Sequence, residues 1–202
     1  MKGIDTTFFD MSTLKLPVGD GDLLVAQPFM DEAWFKCGVI TVIDYDSKEG
    51  TTGVVLNNTM NYTLPDVLDG VDSAVKVPVY CGGPVSQDRL YFIHTLGDEI
   101  LPGARRYAPG LYIGGDFDAA MQYVNEGYPT EGIIRFFIGY SGWSPGQLEQ
   151  EIEENTWAVL KSPQDPQSLL RGSGPHYWHR AVAALGPHYR PWRHIPADTH
   201  AN

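Results

Sequence analysis

The run Ile133 to Tyr140 is the most apolar stretch of the chain and the strongest constraint on its fold. Its isoleucines, phenylalanines and tyrosine favour an extended backbone, and eight residues suit a strand better than a helix. Leu90-Tyr91-Phe92-Ile93 is apolar on both faces and belongs in the middle of a sheet, because a strand with no polar face must be covered on both sides. A helix start follows the first run closely. Ser144 is placed to cap it, Pro145 to take the first helical position, and Gln147 to reach back to the N–H of Ser144. Trp143 and Leu148 can close a hydrophobic staple across that cap. Strand and helix side by side predict a mixed α and β protein.

The other periodic segments agree. Leu23-Leu24-Val25-Ala26, Gly38 to Ile43 and Thr51 to Leu56 read as short strands, the last two as a hairpin around the polar loop 46–50. Asp31 to Lys36 suits a helical turn or two. Thr63-Leu64-Pro65-Asp66 opens a short helix with Thr63 as cap and Asp66 as its reciprocal partner. Val77 to Tyr80, Arg89 to Thr95 and Trp157 to Leu160 are further strands. Between them Ala119, Ala120, Tyr123 and Val124 share one face of a helix that Gly127 ends in a left-handed conformation. Residues 1–22 read as an N-terminal arm and 23–161 as an α+β body. Residues 162–175 read as a Pro/Gly/Ser-rich linker, and 176–202 as a His/Arg-rich extension with a helix from His176 to Leu185.

Charge separates these parts. Residues 1–170 hold 10 Lys/Arg against 24 Asp/Glu, whereas 171–202 hold four Arg and one acid, within a formal net charge of −11. So acidic a body disfavours direct nucleic-acid binding, which gains its free energy from Lys and Arg displacing counterions. Five of the six histidines lie in the extension, which is expected to gain charge below pH ~6.5 and tighten on the acidic body. No segment is apolar enough for a membrane helix, and residues 1–19 lack the apolar region of a signal peptide. Cys37 and Cys81 each sit in or beside apolar runs, so the expectation is a cytoplasmic protein with buried free thiols.

Tested for chemistry, the motifs give structural answers. Gly139-Tyr140-Ser141-Gly142-Trp143 lacks the final small residue of a hydrolase nucleophile elbow, since Trp143 stands there; it reads as a tight turn into the Ser144 cap. Gly114-Gly115-Asp116-Phe117-Asp118 precedes a helix, but its acids complement the dipole themselves, so Asp116 is expected to cap rather than to hold phosphate. Gly82-Gly83-Pro84 lacks the Lys and Ser/Thr of a phosphate loop. Arg135 interrupts an apolar strand and calls for a partner, expected to be Asp88 or Asp116, beside Arg89. His94 ends a strand as a core or rim residue with no identifiable nucleophile. His176 and His179 fall short of a zinc set. No catalytic residue, metal or cofactor is assigned.

Together these strings resemble the YqgE/AlgH family of bacterial proteins. Gly82-Gly83-Pro84-Val85, Gly114-Gly115-Asp116-Phe117 and Gly139-Tyr140-Ser141-Gly142-Trp143-Ser144-Pro145-Gly146-Gln147 stand in that family's motif order across about residues 20 to 160. The chain departs where Asn58-Thr59 follows Asn57, in place of the family's usual basic residue and proline. The resemblance implies a compact α+β fold with a strongly bent, barrel-like mixed sheet flanked by helices and a C-terminal helical extension. Some members carry the label of transcriptional regulator, which reaches this chain only by resemblance, and the family is without an established biochemical activity. The candidate ligand-binding residues are Asp88, Arg89, His94, Asp116, Arg135, Ser141 and Trp143, with the glycine loops expected to gather at one end of the sheet. Three functions follow in order. The first is a non-enzymatic binding or regulatory protein with an unknown protein or small-molecule partner. The second is a transcriptional regulator acting through protein contacts or the basic tail, and the third an enzyme using Arg135, Asp88 and Asp116. Oligomeric state stays open.

Overall fold

The computed structural model describes residues 16–72 and 74–195. One ten-residue strand organises it: β9, Ile134–Trp143. Its first half pairs antiparallel with β6, Val85–His94, and parallel with β5, Pro78–Cys81. Its second half pairs with β3, Gly50–Val55, through Thr51 opposite Trp143 and Gly53 opposite Ser141. Gly139-Tyr140-Ser141-Gly142-Trp143 is therefore strand, not the tight turn expected. The physical reason is Gly139 itself. Its φ is 72°, and a Cβ there would stand 2.5 Å from the Gly83 carbonyl oxygen, so only glycine lets the strand bend and continue.

Beyond β3 the sheet runs through β2, Val39–Asp46, and β1, Leu23–Ala26, to the edge strand β10, Trp157–Leu160. Beyond β6 it runs through β8, Leu111–Ile113, to β7, Arg105–Ala108, while β4, Thr59–Thr63, pairs with β5. The sheet is mixed and not closed, though Arg105 Nη2 reaches across to the carbonyl of Ile43 at 3.4 Å.

The helices follow their sequence signals with one shift. Thr63 and Asp66 form the expected capping box before α1, Leu64–Val67. Asp66 is held below the usual carboxylate range by its bonds from the Thr63 hydroxyl and N–H. Asp116 caps α2, Phe117–Asn125, accepting the N–H of Ala119 at 2.9 Å, and Gly127 beyond it has φ 76°. Helix α3, Gln147–Glu153, begins later than expected: Gly146, not Ser144, is the cap residue, at φ 75°. Gln147 nevertheless accepts the N–H of Ser144 as expected, at 3.0 Å, and Trp143 and Leu148 share one buried cluster. In place of the helical turn expected from Asp31 to Lys36, residues 33–37 form turns, with a single helix-type bond from the Lys36 N–H to the Glu32 carbonyl.

Residues 162–175, expected to be a linker, contain α4, Pro166–Leu169, and bury Leu169 and Leu170 in the main core cluster. Helix α5, Gly174–Ala184, adds Tyr177, Trp178, Ala181 and Val182 to the same cluster, and a 3-10 segment, Pro187–His194, adds Tyr189 and Trp192. Aromatic burial seats this extension on the body. At the other end Asp22, placed in the arm, is buried, pairs with Lys161 at 2.8 Å and accepts the N–H of Ser162. Residues 1–15 and 196–202 lie outside the described residues, including most of the arm and His200. Among the described residues no helix is long and apolar enough to cross a membrane.

Candidate functional site

Of the seven residues singled out from sequence, the structure gathers only two at one place. Ser141 is fully buried on β9, and its hydroxyl donates to the Gly82 carbonyl at 3.0 Å. It fastens the Gly82-Gly83-Pro84 loop to β9, with Gly83 so close that a Cβ would stand 2.4 Å from Tyr140 backbone. Trp143, two residues on, lines a cavity to which Pro84 of this loop also contributes.

That cavity has a volume of about 330 Å³ and is lined by Pro84, Gly142 and Trp143 together with Phe35, Trp157 and Glu151. Its floor is aromatic: the Trp143 and Trp157 rings meet edge to face with centroids 6.1 Å apart, and Phe35 meets Trp157 the same way at 5.6 Å. One carboxylate oxygen, Glu151 Oε2, accepts both indole N–H groups, at 2.8 Å from Trp143 and 2.7 Å from Trp157. The other oxygen accepts from Gln147 Nε2 at 2.8 Å. Three donors thus fix a carboxylate against an apolar wall. On the same helix Glu149 accepts the Tyr45 hydroxyl at 2.7 Å, which together with partial burial pushes that phenol up to about 12. Phe35, Glu151 and Trp157 escaped the sequence reading. Glu151 is one of three α3 glutamates with nothing in its spacing to mark it, and Trp157 read simply as a strand residue.

The other five residues lie apart. Asp88 and Arg89 are exposed on the bulged start of β6, where its register against β9 shifts. Asp116 is committed to the α2 cap. Arg135 is buried but meets no carboxylate, which corrects the expected ion pair. Its Nη1 donates to the Leu56 carbonyl at 2.6 Å, and Nη2 to those of Leu170 at 2.6 Å and Gly172 at 3.0 Å. The guanidinium lies 4.2 Å from the centroid of the Tyr80 ring. Burial lowers its pKa, opposed chiefly by the electron-rich neighbours Tyr80 and Tyr177. Carbonyls prevail because the chain crossing above β9 at 170–172 presents its backbone there. Asn57 completes this seam: its amide donates to the carbonyls of Cys37 and Gly174 and accepts the N–H of Val39. A second cavity, of about 260 Å³, opens beside the seam between Trp34, Lys36, Cys37, Asn58 and Pro175. The Gly114-Gly115 loop is likewise remote from the Trp143 cavity, so two of the three glycine-rich loops converge rather than all three.

His94 is wholly buried. Its Nε2 lies 3.0 Å from the Gly114 carbonyl, its ring stacks on Tyr112, and Nδ1 has no partner. The carbonyl can only accept, so the proton sits on Nε2 and the ring is neutral. Burial lowers its pKa, opposed by the Gly114 bond. Below pH ~6.5 the unfolded chain therefore takes up a proton that the folded chain refuses, and stability falls with pH by at most about 1.4 kcal/mol per unit. Urea unfolding between pH 7.5 and 5.5 should show wild type losing more stability than His94→Phe. Equal pH dependence in the two would contradict this assignment.

A family model described as AlgH-like matches residues 23–190. A UPF0301 protein from Parabacteroides distasonis is 39% identical over 187 residues, covering 93% of this chain and 92% of its own. One from Bacteroides thetaiotaomicron is 35% identical over 193 residues, 96% of each chain. The solution structure of the AlgH protein from Pseudomonas aeruginosa superposes with a TM-score of 0.68 at 26% identity, covering 86% of this chain and 92% of that one. A crystal structure of a Corynebacterium diphtheriae protein shares the fold, with a TM-score of 0.66 at 23% identity over 89% of this chain and 92% of that one. The match to the family model reaches through α5 and into the 3-10 segment, so the carboxyl-terminal elements packed over Arg135 are part of what this chain shares, and the chain belongs to the AlgH-like family.

Proposed function

We propose that the protein is a non-enzymatic binding protein whose ligand enters the cavity beside Trp143. One observation carries this reading: the Gly82-Gly83-Pro84 loop and the Gly142-Trp143 end of β9 converge on the rim of a cavity large enough for a small molecule or a side chain. The enzyme reading has no support from geometry. Arg135 spends its donors on three carbonyls, Asp116 caps a helix and Asp88 is exposed on β6, so no hydrogen-bonded network joins them. Two buried cysteines, Cys37 and Cys81, with no disulfide between them, support a reducing compartment such as the cytoplasm.

The binding reading is tested by titrating small-molecule mixtures into ¹⁵N-labelled protein. Ligands are expected to shift the Trp143 and Trp157 indole N–H signals together with the Gly142 and Thr156 amides. Shifts that map elsewhere would contradict it.

Regulation through the C-terminal segment is a second reading, favoured by the exposed Arg190, Arg193, His188 and His194 on the 3-10 segment. A gel shift at low salt that Arg190→Glu with Arg193→Glu abolishes would support it, and no shift with either protein would end its direct form.

A further inference from the structure

His94 is the last residue of β6 and shares a sheet face with Phe92, whose ring centroid lies 6.0 Å from that of the imidazole. The Gly114 carbonyl holds Nε2 and the Tyr112 ring stacks on it, with centroids 5.7 Å apart. Against these two contacts lies the turn segment 97–104, between β6 and β7. A Cβ on Gly97 would stand 3.8 Å from the Tyr112 ring, and one on Gly115 would stand 2.9 Å from the Leu101 carbonyl oxygen. We propose that segment 97–104 is an acid-released lid, which lifts off Tyr112 and Gly115 when His94 takes up a proton at Nδ1.

The first support is where that proton must go. Nδ1 is buried with no hydrogen-bond partner, so a proton there would leave both a charge and an N–H buried and unmatched. Charged groups on the surrounding elements do not offset it. Arg135, beside the β9 residue opposite His94, sends its guanidinium to the other face, to the carbonyls of Leu56 and Leu170. Asp98 accepts the Gly103 N–H inside the lid and Asp116 caps α2, while Glu99, Arg105 and Asp118 are exposed. The titratable group that faces the ring is the Tyr112 phenol, which stacks on it. The closed state thus refuses a proton that an opened state accepts near the ordinary imidazole value of about 6.5.

The second support is how lightly the lid is held. Of residues 97–104 only Leu101 is buried, and Ile100 is 50% exposed. The Leu101 N–H donates to Gly97 and the Ala104 N–H to Leu101, so these bonds stay within the lid. The Asp116 N–H ties it to α2 by donating to the Pro102 carbonyl at 2.7 Å. Segments with few buried side chains open at lower free energy than core strands. His94 itself is fixed in the β6–β9 ladder opposite Ile134, so the lid is the side that yields. Proton uptake by the open state favours opening as pH falls below about 6.5, by at most about tenfold per pH unit.

Hydrogen exchange of the whole ¹⁵N-labelled protein, corrected for intrinsic rates, tests this between pH 7.5 and 5.5. Protection of the Leu101 and Asp116 amides should fall about five- to tenfold, while amides 136–138 of β9 keep a larger protection that the lid does not share. His94→Gln cannot titrate, and it should remove the pH dependence of the lid amides. Leu101→Ala leaves the imidazole in place; it should lower lid protection at every pH and keep the wild-type slope. Lid and β9 amides exchanging at one common rate would overturn the lid, because the opening would then be global. Lid protection that does not change with pH in wild type or in Leu101→Ala would overturn it too. A slope that persists in His94→Gln would overturn the assignment to His94.

Discussion

Arg135→Met is expected to destabilise the protein by about 3–5 kcal/mol, the range for removing one side of a buried charged interaction. Methionine fills much of the space of the arginine stem, so the loss reports the guanidinium. Three carbonyls, of Leu56, Leu170 and Gly172, lose their donor at once, and each buried acceptor left unpaired costs about 1–3 kcal/mol. Two of those carbonyls belong to the segment entering α5. Exchange protection of amides 174–182 should therefore fall before that of the central strands. Lysine cannot replace the planar fork, because one ammonium cannot hold carbonyls from separate segments in the same geometry; Arg135→Lys should lose an intermediate amount. Urea unfolding checks the order wild type, lysine, methionine. A methionine variant within about 1 kcal/mol of wild type would mean that the arginine is not the clamp described here.

Trp178→Ala should cost a similar 3–5 kcal/mol for a different reason. The ring is fully buried in the main core cluster beside Val25 and Val39, and its indole N–H donates to the Ala26 carbonyl at 2.9 Å. Alanine leaves both a cavity and an unpaired carbonyl next to the β1–β10 pairing. Trp178→Phe keeps most of the apolar area and removes the bond, so it should cost about 1–3 kcal/mol. Thermal unfolding of the two variants separates packing from hydrogen bonding. If both variants unfold like wild type, the extension is not an integral part of the core.

These two residues also show where sequence reasoning stopped. Local signals were legible: the Asp66 and Asp116 caps, the left-handed Gly127, the hairpin of β2 and β3 and the central place of β6 all follow from residue type and spacing. Features set by long-range contact were not. The buried side of α5 is Tyr177, Trp178, Ala181 and Val182, where the sequence reading marked only a helix from His176 to Leu185. Periodicity gives a helix its faces and leaves unsaid which one meets the sheet. The partners of Arg135 are backbone atoms, which carry no mark in the sequence. An arginine in an apolar strand therefore announces a need for acceptors without saying that Leu170 and Gly172 will meet it. Gly139-Tyr140-Ser141-Gly142-Trp143 misled because its glycines resemble those of a turn, whereas Gly139 serves a bend inside a strand pressed against Gly83. The candidate site was half legible. Trp143 and the Gly82-Gly83-Pro84 loop carried motif signals, while Glu151, Trp157 and Phe35 reach the cavity from α3, β10 and the turn before β2, which only long-range packing brings against Trp143.

The most direct measurement is a crystal structure of the protein soaked in a mixture of small-molecule fragments. The account expects a fragment in the cavity between Pro84, Trp143 and Trp157. Fragments bound only elsewhere, with this cavity free of them, would contradict it.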